Sequence, residues 1–122
     1  AQGFKPNSIS TDLHTGSMNG GMKNMLNVMS KFLNMGLELE EVLRLSNWNP
    51  AQIIQRTDLG HLSVGAVADV AILKLEKGAF GFVDTQGWKI IGNQKLVGEL
   101  TLRAGQVVYD LNGLSRPLWK PN

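Results

Sequence analysis

Asp12 is the residue of this sequence best suited by type and setting to do chemistry. It sits in Ser10-Thr11-Asp12-Leu13-His14, where a short stretch anchored by Ile9 gives way to Thr15-Gly16-Ser17-Met18-Asn19-Gly20-Gly21. A carboxylate beside such a loop can bind a hard or borderline cation and take a proton from water. Glycines permit tight turns and let the backbone approach a ligand closely. The bland alternative is an aspartate that only satisfies turn N–H groups. For His14 the choice lies between a group beside that chemistry and a loop histidine bonded to backbone.

The other eye-catching side chains point to packing. His61 precedes the β-rich half with no acidic or histidine neighbour at ligand spacing, so it reads as structural or exposed. Of the methionines at 18, 22, 25, 29 and 35, those on the helix follow core periodicity, which favours burial over a soft-metal or adaptable surface. Trp88 and Trp119 lack the basic, aromatic-interleaved context of a nucleic-acid platform.

These residues need elements to position them. Asn7 to Asp12 reads as a short strand ending at the candidate carboxylate. Met22, Met25, Leu26, Met29, Phe32 and Leu33 recur at spacings of three and four, one apolar helical stripe, with Gly36 as its left-handed stop. Leu37 to Leu45 forms a second helix, with Glu38, Glu40 and Glu41 where the helix dipole favours anions. Asn49-Pro50 opens a third over Ala51 to Gln55, Asn as cap and Pro at the first helical position. Beyond Gly60 the period changes. Strands are expected at Val70 to Leu75, Phe80 to Val83, Leu96 to Leu102 and Gln106 to Tyr109, with Leu100 to Asp110 reading as strand, tight turn, strand. Asp69 and Asp110 fall at strand ends and read as structural, and the tail from Ser115 reads as an extended strap.

Composition narrows the class further. The 122 residues are 43% apolar and 18% charged, an ordinary globular balance. A net charge of +2, carried by scattered basic residues, argues against nucleic acid as a partner. There is no cysteine, which excludes disulfides and thiolate metal sites. No apolar run approaches the roughly 20 residues that span a bilayer. A soluble protein with no membrane partner is expected, with the cytoplasm as the default compartment.

In order, Thr11-Asp12-Leu13-His14, Asn49-Pro50-Ala51 and Leu59-Gly60 with Gly65, Ala68 and Asp69 resemble the C-terminal third of metal-dependent amidohydrolases. Phe80 to Asp84 and Gly105 to Asp110 resemble the end of the small β-sandwich in the deacetylase-like branch, beside a dihydroorotase-like branch. The resemblance implies an α+β chain: the last strand and helices of a (β/α)8 barrel in residues 1–59, then an incomplete part of the β-sandwich in residues 60–122. Active sites of such barrels lie at the C-terminal ends of strands. Asp12 is then expected to bind the metal and to act as the catalytic proton acceptor, with His14 beside the metal or against the substrate.

The same resemblance implies what the chain lacks. The family's His-x-His pair, bridging lysine and further histidines come from earlier strands, and His14 and His61 are the only histidines in this sequence. Zinc or another divalent metal is expected in the complete enzyme and none on this chain alone. The implied function is hydrolysis of C–N amide or acyl-ester bonds in a small acylated substrate, inactive in isolation. Residues 1–20 are expected to be mobile or rearranged without flanking strands. Self-association, or pairing with the missing N-terminal part, is expected from the unpaired sheet edge and the methionine stripe. The competing reading is a non-enzymatic β-rich oligomerisation or partner-binding module.

Overall fold

A computed structural model describes residues 3–18 and 20–121, so Asn19 of the glycine-rich loop lies outside the described residues. Three helices precede a three-stranded antiparallel sheet: α1 (Met25–Asn34), α2 (Leu39–Ser46), α3 (Trp48–Ile53), β1 (Val70–Val83), β2 (Lys89–Arg103) and β3 (Gln106–Asp110), with strand order β1-β2-β3. No helix of the described residues is long and apolar enough to cross a membrane.

The helix α1 starts later than its apolar stripe. Asn24 is extended, and its side-chain oxygen accepts the Asn27 N–H at 2.9 Å, capping the helix after Lys23. Met22 is nevertheless buried. At the other end Gly36 takes φ +100°, and its N–H and that of Leu37 donate back to the Leu33 and Phe32 carbonyls. This paired capping motif removes Leu37 from the second helix, which starts at Leu39 with Glu40 and Glu41 in its first turn. The third helix departs from expectation at its start. Asn47, not Asn49, accepts the first N–H, from Trp48. Pro50 therefore stands third in α3, where its missing N–H still costs no intrahelical bond.

Two corrections concern strands. Residues 7–12, expected as a strand, form none; the one backbone bond there is Ile9 N–H to the Leu45 carbonyl at 3.0 Å, and no described strand lies alongside to build a ladder. The segments expected as separate strands at 70–75 and 80–83 are one strand, β1. Its ladder with β2 slips between Lys77↔Gln94 and Phe80↔Gly92, so Gly78 and Ala79 together oppose Asn93, a bulge that breaks the alternation. Across the sheet β2 begins at Lys89, well before Leu96, because Gly92 and Asn93 disguise the strand pattern. The turn at Ala104-Gly105 is as expected, with φ +48° and +79°. Asp69 accepts the Ala104 N–H at 2.7 Å, and Asp110 accepts those of Leu114 and Ser115, so both are structural.

The core joins Ile9, Met29, Leu33, Val42, Leu45 and Leu96. A polar seam runs beside it. Ser30, 1% exposed, accepts the Leu96 N–H at 2.9 Å and donates to the Leu26 carbonyl at 2.6 Å. One turn on, Asn34 donates to the Gln94 carbonyl at 2.7 Å and accepts the Asn93 N–H at 2.9 Å. The third strand runs beside β2 only from Leu100 to Arg103, and upstream of that point side chains of α1 bond the β2 backbone. Replacing Ser30 with Ala leaves the Leu96 N–H buried without its acceptor, which should cost about 1–3 kcal/mol in urea unfolding. An unchanged unfolding midpoint would show that this bond contributes nothing.

Candidate functional site

The segment leading to Asp12 is held against the helices. Lys5 pairs with Glu41 at 3.0 Å, Asn49 donates to the Asn7 carbonyl at 2.9 Å, and Ile9 is buried among the core side chains. Asp12 itself adopts φ +50°, a left-handed conformation that aspartate tolerates better than most residues. Beyond it the chain closes into a compact turn organised by Ser17. The Ser17 hydroxyl donates to the Asp12 carbonyl at 2.6 Å and accepts the His14 N–H at 3.0 Å. Met18 N–H donates to the His14 carbonyl and Gly20 N–H to that of Ser17, both at 3.0 Å.

This scaffold uses the backbone of Asp12 and leaves its carboxylate free. The side chain is 91% exposed, and among the described residues it meets only His14, whose Nε2 lies 3.8 Å from Oδ2. The imidazole Nδ1 accepts the Gly16 N–H at 3.0 Å, so the neutral ring carries its proton on Nε2, the atom facing Asp12. Asp12 and His14 are thus brought near one another, with His14 Nε2 facing the carboxylate just beyond hydrogen-bond reach. Sequence reasoning missed Ser17 as the organiser of this turn. A hydroxyl five residues after Asp12 in a glycine-rich loop was the available signal.

A catalytic zinc takes three or more protein ligands. Among the described residues no three His, Asp or Glu side chains gather to hold a metal, and the His14 nitrogen nearest Asp12 is protonated in the neutral ring. The residues present do not by themselves fit a metal ion.

His61 makes its contacts outside this turn. Its Nδ1 accepts the Ser63 N–H at 3.3 Å, its Nε2 faces the Thr57 carbonyl at 3.1 Å, and its ring meets Trp48 edge-on at 5.8 Å. It also borders a groove of about 400 Å³ between the helices and the start of β1, lined by Met25, Met29, Leu43 and Ala71. Of the methionines, Met22 and Met29 are buried, whereas Met18 and Met35 are exposed.

With the turn and its carboxylate in view, comparison with known proteins is informative. The chain matches the amidohydrolase family over residues 1–108 and belongs to it. It is 37% identical to a deacetylase of Brucella anthropi over 86 residues, covering 70% of this chain and 21% of that protein. A deacetylase of Agrobacterium fabrum is 36% identical over 87 residues, with 71% and 21% covered. Among solved structures, an adenine deaminase superposes with a TM-score of 0.83 at 26% identity over 90% of this chain and 30% of its own. A dihydroorotase superposes with a TM-score of 0.81 at 28% identity over 89% and 30%. The chain spans about a fifth of those deacetylases and under a third of those two structures.

At the rim of the groove the Arg56 guanidinium makes two hydrogen bonds to Asp58, at 2.8 and 2.7 Å, and pulls its carboxyl down to about 2. A carboxyl depressed by folding contributes stability above its ordinary value and loses that contribution as pH falls through its folded one. Asp58 should therefore titrate near 2 by carboxyl NMR, and Arg56→Gln should return it toward the ordinary 3.8. An Asp58 titration unmoved by Arg56→Gln would show that the pair does not hold it down.

Proposed function

We propose that this chain is the C-terminal portion of a metal-dependent hydrolase that cleaves the amide or acyl-ester bond of a small acylated substrate. In this reading residues 1–59 complete a (β/α)8 barrel, residues 60–122 belong to its side β-sandwich, and the missing N-terminal part is the natural partner. The observation that carries it is the likeness to deacetylases at 36–37% identity over some 70% of the chain, in an amidohydrolase-family segment that includes Asp12.

The chemistry follows from one free carboxylate. Asp12 stands exposed on a turn that Ser17 holds through backbone groups and not through the carboxylate, so its side chain can be given to the reaction. It accepts a proton from water attacking the acyl carbon and returns that proton to the departing amine or alcohol. The acyl–N or acyl–O bond breaks as the new bond to water oxygen forms. His14 presents its Nε2–H toward Oδ2 from 3.8 Å, close enough to favour the carboxylate's charge through its dipole. Zinc or another divalent metal would supply Lewis-acid polarisation of the acyl group, with most of its ligands coming from the remaining barrel.

In the full-length protein, Asp12→Asn should lower the turnover of N-acyl substrates by about 10²–10⁴-fold while the fold survives. Turnover within a factor of a few of the original would sink the assignment. The 122-residue chain alone should show no hydrolysis of N-acetyl or O-acetyl substrates with added zinc. Turnover that disappears on Asp12→Asn would overturn that expectation.

A further inference from the structure

The glycine-rich loop that carries the Asp12 turn ends at a crowded crossing. Gly21 is buried against the end of β1, and a Cβ added there would collide with the Val83 carbonyl oxygen and stand 2.5 Å from that of Asp84. Two carbonyls from separate segments converge at this point on a single cation. The Lys31 ammonium, reaching out from the last turn of α1, donates to the Gly21 carbonyl at 2.8 Å and to the Val83 carbonyl at 2.7 Å.

We propose that Lys31 is the positioning residue for Asp12, clamping the far end of its loop onto the β1–β2 hairpin. The proposal rests on the hydrolase reading of Asp12 for its functional meaning, and on geometry for its existence. Three hydrogen bonds joined by short stretches of chain connect the clamp to the carboxylate-bearing residue: Lys31 to the Gly21 carbonyl, Gly20 N–H to the Ser17 carbonyl at 3.0 Å, and the Ser17 hydroxyl to the Asp12 carbonyl at 2.6 Å. The near end is fixed independently by Ile9 N–H on Leu45 at 3.0 Å. A loop held at both ends keeps a catalytic group in one place, which is how binding and orientation become rate.

A lysine suits this task better than a neutral donor. Its charge strengthens both bonds, and a side chain that reaches two carbonyls at once resists sliding of one segment past the other. Burial pushes the Lys31 ammonium below its ordinary value, and the nearby Asp84 carboxylate opposes that push. Asp84 in turn holds the hairpin tip, accepting the Gln86 and Trp88 N–H groups at 2.9 and 2.8 Å. The charge that steadies the lysine thus belongs to the element the lysine grips.

The test is residue-resolved amide hydrogen exchange on the 122-residue chain, with Lys31→Met, Lys31→Arg and Gly21→Ala. In Lys31→Met the Met18 and Gly20 amides should exchange about tenfold faster or more, the scale of one lost charge-assisted hydrogen bond. Val42 and Leu45 in α2 should stay protected, and Lys31→Arg, which can also bridge two carbonyls, should recover most of the loop's protection. Gly21→Ala, which forces the same crossing apart while keeping the lysine, should loosen the same amides, and it decides the matter if Lys31→Met does not fold. Unchanged loop exchange in both, or equal loss across loop and core, would overturn the clamp. In the full-length protein Lys31→Met should lower kcat with KM little changed. Loosened loop amides alongside an Asp12→Asn variant of normal turnover would leave the clamp standing and refute the hydrolase reading instead.

Discussion

The structure depends on how α1 is fastened to the β1–β2 hairpin. Apolar contact supplies area, since Met29 and Leu33 meet Leu96 in the core, but area alone leaves a helix free to slide or roll. The Ser30 and Asn34 side chains remove that freedom. They bond backbone groups at Leu96, Asn93 and Gln94, so helix position is tied to strand register by directional contacts. Such bonds are modest when made and expensive when broken in a buried setting, which makes them better at specifying an arrangement than at driving collapse. Gly92 belongs to the same device, because only a residue without a side chain lets Asn34 come so close to β2.

Much of the helical half was legible because local chemistry decides it. The stripe from Met22 to Leu33 announces α1, and Gly36 announces its end. The misreadings arose where a tertiary partner won over local preference. Leu37 looks like helix but is spent on the cap of α1, and Asn47 takes the capping role that Asn49-Pro50 suggested, while Asn49 reaches across to Asn7. Strand ends fared worse. Lys89 to Gln94 carries a glycine and an asparagine where a strand pattern wants apolar residues, and its pairing comes from β1 and α1, which no local pattern can reveal. Residues 7–12 show the converse, a strand-like stretch that finds no ladder among the described residues.

At the site, residue type and loop context pointed to Asp12 and His14, and the structure brings these two side chains together. What the sequence left open is which of Asp12 and Ser17 satisfies the turn. Either residue can play that part, and choosing between them requires backbone geometry. Lys31 was equally silent, a single cation in an apolar helix whose two acceptors lie ten and fifty-two residues away. Contacts of that span leave no periodic trace.

The bulge at Gly78-Ala79 changes what β1 is. Before it the inward side chains are odd-numbered, Leu73 and Leu75; after it they are even-numbered, Phe80 and Phe82. The strand therefore changes phase at this joint, while the other irregularity of the ladder, between Ile72 and Leu73, puts its extra residue, Glu99, in β2. A one-residue deletion in that joint would restore plain alternation and leave Phe80 and Phe82 inward, one residue more would turn both outward together, and residues added at the Asp84–Trp88 tip would disturb neither phase. Added length in this hairpin is thus channelled to its tip, and the two glycine-marked places in one ribbon obey opposite rules: one is a spacer that cannot be lengthened, the other an outlet that can.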